Sequence, residues 1–127
     1  MKTLTVVATF AIVVCCTAPA TSAEFLDGTK DAIPPEILDA AVSTIIHKLR
    51  DPGSAQFQGL VMARSKVLCG FVNAKNGFGG YVGFTPFLYN PADRSASILK
   101  NHEDNEAWNE LEMMVFKFTG CDTALGL

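Results

Sequence analysis

The hydrophobic pattern changes character several times along the chain. From Leu4 to Cys16 nearly every position is apolar, with Lys2 ahead of the run. Pro19 breaks it, and the small residues Thr21, Ser22 and Ala23 follow. The run is shorter than the ~20 residues that a bilayer-spanning helix needs. This pattern predicts a secretory leader over residues 1–23, cut after Ala23, with Ala20 as the second candidate. Residues 24–127 are then expected to form a single small α+β domain.

After a polar lead-in from Glu24 to Ile33, expected to be mobile or loosely docked, the period becomes helical. Pro34 and Pro35 open the segment, where a missing N–H costs nothing. Ile37, Leu38, Ala41, Val42, Ile45, Ile46 and Leu49 then recur at helical spacing. Lys48 and Arg50 suit the negative end of the helix dipole. The helix is expected to end before Pro52, because the residue ahead of a proline is biased away from helix. Asp51-Pro52-Gly53-Ser54 reads as a turn, with Asp51 able to bond the backbone two residues on.

Extended patterns follow. Residues 56–63 read as a strand, and Arg64, Ser65 and Lys66 as a polar break. Val67 to Ala74 reads as a second strand, with Val67, Cys69 and Phe71 on one face and Leu68, Val72 and Ala74 on the other. Apolar residues on both faces predict a central strand or one partly buried on both sides. Asn76-Gly77 is a favoured hairpin turn, widened by the freedom of Gly79 and Gly80. Tyr81 to Tyr89 returns as the partner strand. Asn90-Pro91-Ala92-Asp93 turns the chain into a shorter strand over Arg94 to Leu99.

The last segment reads as a helix capped by Asn101. Glu103, Asp104 and Glu106 lie in its first turns and Lys117 near its end. Trp108, Leu111, Val115 and Phe118 form its stripe, and Gly120 marks the residue past its end. Met113 to Phe116 could instead be a strand, but caps and charges favour the helix. The predicted fold class is therefore α+β: an N-terminal helix, an antiparallel meander of three to four strands, a C-terminal helix and one disulfide.

Composition narrows the function classes. The chain carries 10 Lys and Arg against 13 Asp and Glu. Losing Lys2 with the leader makes the balance more acidic still. The basic residues are scattered, so the sequence shows no basic patch of the kind that binds nucleic acid. The mean hydropathy of +0.24 owes much to the leader, and no later run approaches membrane-spanning length. A lipid anchor is not expected either. A lipidated cysteine needs a small residue just before it, whereas Val14 precedes Cys15 and Cys15 precedes Cys16.

Of the 4 cysteines, Cys15 and Cys16 belong to the leader. Cys69 and Cys121 remain, and an exported chain folds in an oxidising compartment, so they are expected to pair. Two buried thiols, or a catalytic Cys69 working with His47 or His102, are the competing readings.

Other chemistry is thinly marked. His102 and Glu106 share a helix face, but they are two ligands where catalytic zinc sites use three from the protein. Glu103, Asp104, Glu106, Glu110 and Glu112 form an acidic run that could hold a carboxylate pair, yet acids at a helix start need no catalytic reason. Gly77-Phe78-Gly79-Gly80 lacks the Gly-Lys-Ser/Thr ending of a phosphate loop. No cofactor and no metal are implied.

The sixteen residues from Cys69 to Phe84 hold five glycines and four aromatics. Together with Asp51-Pro52-Gly53-Ser54-Ala55-Gln56-Phe57 and Cys121, they give the chain a resemblance. It resembles a family of small exported, largely uncharacterised bacterial proteins whose pattern is Asp-Pro-x-Ser-Ala-x-Phe, then Cys-Gly-x-Val-Asn-Ala-Lys-Asn-x-Phe-Gly-Gly-Tyr-x-Gly-Phe, then a C-terminal cysteine. The resemblance implies export and a Cys69–Cys121 bridge, and brings no catalytic residue. The expected function is a non-enzymatic one in the periplasm or outside the cell. A protein or envelope component would bind through the 73–81 hairpin, using Asn73, Lys75, Asn76, Phe78 and Tyr81. The alternative is a small envelope hydrolase using the acids of the last helix or His102.

Overall fold

The computed structural model describes residues 23–99 and 110–127. All but Ala23 of the expected leader lies outside the described residues. So do Asn101, His102, Glu103, Asp104, Glu106 and Trp108 of the last expected helix.

Five strands form one sheet in the order β1-β2-β3-β4-β5. They are β1 Glu24–Phe25, β2 Gln56–Met62, β3 Leu68–Asn73, β4 Thr85–Asn90 and β5 Ser95–Ile98. The last four make the expected antiparallel meander, whereas β1 runs parallel to β2, with Phe25 opposite Phe57. The class is α+β as read, but the sheet is mixed and has five strands, not three to four. A strand of two residues carries no period-two signal, and its partner lies some thirty residues downstream, so sequence pattern does not reveal it.

The lead-in expected to dock loosely is held in place, for a reason that lies in β2. Between Gln58 and Val61 the register shifts, because Gly59 and Leu60 together stand opposite Gly70. Gly59 adopts φ +62°, a left-handed conformation that suits the first position of such a bulge. A bulge releases backbone N–H groups from the ladder. The lead-in takes them up: the Gly59 amide donates to Asp27 Oδ2 and the Leu60 amide to Thr29 Oγ1, both at 2.9 Å. The Thr29 hydroxyl and the Gly59 amide hold the Asp27 carboxyl below its ordinary range. Ile33 then enters the core.

The bulge also keeps Phe57 and Leu60 on one face. There they meet Leu68, Val72, Phe87 and Tyr89, covered by Ala41, Val42 and Ile45 of helix α1, Pro35–Ile46. α1 ends earlier than Pro52 alone requires. The Lys48 and Leu49 amides donate to the carbonyls of Ile45 and Ile46, tightening the chain out of the helix. On the opposite face Val67, Cys69, Leu88 and Leu99 pack against Phe116 and Cys121. β3 is therefore covered on both sides, as its two apolar faces predicted.

Gly70 sits at the closest approach on the α1 face. A Cβ there would lie 2.7 Å from Leu60 Cδ2 and 2.9 Å from the Phe87 ring. Gly70→Ala is accordingly expected to destabilise by about 1–3 kcal/mol, read as a lower urea midpoint.

The C-terminal segment is helical over α2, Glu110–Thr119, but it does not stop there. Gly120 takes φ +77°, ending α2 as expected, and the chain restarts as α3, Cys121–Leu125. Two helices thus replace the single expected one. The inward face also differs. Leu111, Val115 and Phe118 point outward, while Phe116 is fully buried and Met113 packs beside it. The cause is covalent: Cys69 of β3 and Cys121 of α3 form a disulfide with Cα atoms 5.6 Å apart. It holds the start of α3 against the sheet, beside Phe116. No helix among the described residues is long and apolar enough to cross a membrane.

Candidate functional site

The hairpin between β3 and β4 is built on a network centred on three side chains. Asn73 is 8% exposed, and its Oδ1 accepts the Gly83 amide at 3.0 Å, clamping the loop where it leaves the sheet. Asn76 Oδ1 accepts the amides of Phe78 at 2.9 Å and Gly80 at 3.2 Å. The backbone closes around it, with the Asn76 amide donating to the Gly80 carbonyl and the Gly79 amide to the Asn76 carbonyl. Gly79 has φ +79°, whereas Gly77 does not have a positive φ. The tip is therefore a three-residue loop ending in a left-handed glycine, not a two-residue Asn-Gly turn.

Ser54 is the third centre, and sequence reasoning missed its role. Its hydroxyl donates to the Asp51 carbonyl at 2.8 Å and accepts the Lys75 amide at 2.9 Å. Its carbonyl accepts the Tyr81 hydroxyl at 3.1 Å. The Asp51 turn is therefore closed by Ser54, where the Asp51 side chain was expected. The signal was in the sequence, since a Ser three residues after Asp51 in a Pro-Gly turn can bond back to the turn. The Asp51–Ser54 turn is thus in direct contact with the hairpin and is the base on which it rests.

The five candidate residues divide by this geometry. Asn73 and Asn76 spend their side-chain oxygens on the loop's own backbone. Tyr81 is fixed at its hydroxyl, pairs with Lys75 across the hairpin, and receives the Lys75 ammonium 5.6 Å from its ring centre. Phe78 is different: it is 99% exposed at the tip. Val82 and Phe84 add exposed apolar surface after it. The segment between α1 and the Asp51 turn brings a further cation, because a Cβ on Gly77 would lie 3.3 Å from the Arg50 guanidinium. The fold thus brings Arg50 and Lys75, distant in sequence, to the same hairpin.

The competing chemistries fare differently. The Cys69 sulfur is bonded to Cys121 and fully buried, so it offers no thiolate. In the glycine loop, the amides of Phe78 and Gly80 are already taken by Asn76 Oδ1, leaving those donors committed within the loop. Glu110 and Glu112 are two apart on α2 and so point to different sides of the helix. His102 and the remaining acids of the alternative lie outside the described residues. Among the described residues, no three His, Cys, Asp or Glu side chains cluster so as to hold a metal ion.

The chain matches no protein-family model, no curated protein and no solved structure at a significant level.

Proposed function

We propose that this is an exported, non-enzymatic protein that docks a protein or a component of the cell envelope through the 73–84 hairpin. The observation that carries the reading is Phe78, a wholly exposed aromatic ring on a loop whose backbone is fixed by its own side chains. Burying that ring in a partner gains apolar contact, and the fixed loop loses little freedom in doing so. Tyr81, Val82 and Phe84 extend the apolar surface, and Arg50 and Lys75 supply cationic groups beside it. Such a mixture of aromatic anchor and charged surround suits recognition rather than turnover.

Affinity capture with Phe78→Ala tests this reading. The variant is expected to keep its melting temperature within about 2 °C, since an exposed side chain contributes little to folding. It is expected to lose at least roughly tenfold in capture of the partner held by the unaltered protein. Undiminished capture would overturn the proposal. Asn73 and Asn76 are unsuitable for this test, because their replacement would alter the loop itself.

A further inference from the structure

We infer that α2 forms the interface of a symmetric homodimer in which two copies of this helix pack antiparallel. The inference is independent of the hairpin reading and rests on the outward face of α2. Phe118 is 90% exposed and Met114 63%, with Val115 beside them, while Phe116 and Met113 face the sheet. The helix therefore has apolar residues on both sides, and the described residues of its own domain cover only one. An exposed apolar stripe rimmed by charged residues marks an interaction surface.

The charges on the rim identify the occupant. Glu110 and Lys117 are both exposed and seven residues apart, two turns along the same edge of the outward face. In an antiparallel pair related by a two-fold axis, Glu110 of one copy lies beside Lys117 of the other, and the symmetry makes that contact twice. A parallel pair gives neither charge an opposite one, because Val115 flanks the other edge. One helix of ten residues is a small interface, so the dimer forms at micromolar concentrations or above.

Sedimentation equilibrium of the purified protein from ~1 μM to ~1 mM tests the inference. A monomer–dimer equilibrium is expected within that range. Phe118→Glu is expected to raise the dissociation constant at least about tenfold with an unchanged circular dichroism spectrum and melting curve, since the ring is outside the core. Lys117→Glu, which sets two acidic pairs against each other, is expected to weaken the dimer roughly tenfold at low salt. Adding Glu110→Lys to it is expected to restore the affinity. A chain that stays monomeric to ~1 mM overturns the inference. So does a dimer indifferent to Phe118→Glu, or a double charge swap that dimerises no better than Lys117→Glu alone.

Discussion

Replacing both Cys69 and Cys121 with alanine is expected to lower the stability by about 4 kcal/mol. The bridge closes 52 residues of chain. Removing it frees the unfolded ensemble by that amount in the chain-entropy description. A domain of this size is stable by only about 5–15 kcal/mol in total, so the loss is a large share. The melting temperature is expected to fall by roughly 15–30 °C. Because both sulfurs are fully buried between β3 and α3, the effect should be felt first at the C-terminal helices. Amide exchange there is expected to quicken before exchange in β3, whose opposite face is covered by α1. A reductant acting on the unaltered protein should reproduce the shift. A melting temperature within a few degrees of the parent would mean that the helices are held by packing alone.

Phe57→Ala carries the second large effect, about 3–5 kcal/mol. Phe57 has no exposed surface and lies edge-on to Phe87 with ring centres 5.7 Å apart. It also stacks on Phe25 at 5.8 Å, so it is the main apolar contact between β1 and the rest of the sheet. Truncation leaves a cavity that neither ring can fill from the far side. The Leu26 amide, which donates to the Phe57 carbonyl at 3.0 Å, is expected to lose exchange protection along with the Gly59 amide. Phe57→Leu should cost much less, because most of the volume remains. Urea unfolding of the two variants, with amide exchange at Leu26, checks both parts.

The elements that were legible in the sequence are those whose signals are local. Pro35 and the Ile37 to Ile46 spacing mark α1 because both the start and the buried face are written into a dozen residues. The doubly apolar β3 announced a covered strand, and Gly120 announced a helix end because only a left-handed residue fits there. The pairing of Cys69 with Cys121 was legible from the even count of cysteines after the expected leader. What stayed hidden depends on distant partners. β1 becomes a strand only because Phe57 offers it a surface and the Ala55 and Phe57 carbonyls accept the Glu24 and Leu26 amides, while the β2 bulge anchors Asp27 and Thr29 just after it. The outward stripe of α2 was mistaken for its buried face because Leu111, Val115 and Phe118 have the right spacing. The tether at Cys121 selects Phe116 instead.

The hairpin shows the same division at finer grain. Its residues were legible as a shaped loop, but not the job of each. Asn-Gly marked the turn and Gly79-Gly80 its widening, but not that the Asn76 carboxamide gathers the amides of Phe78 and Gly80 and places the left-handed glycine at Gly79. Ser54 and Arg50 lie outside the hairpin's own sequence and join the site only through the fold. The loop's polar residues are thus its internal scaffold, and Phe78 is what that scaffold presents.

The most direct test is to place a photo-crosslinking phenylalanine analogue at Phe78 in the producing cells. A second probe at Asp93, exposed in the turn between β4 and β5, serves as the control. The expected result is a discrete crosslinked partner from position 78 and none from position 93. No adduct at position 78, or the same adducts from both positions, would contradict the assignment of the hairpin tip as the docking surface.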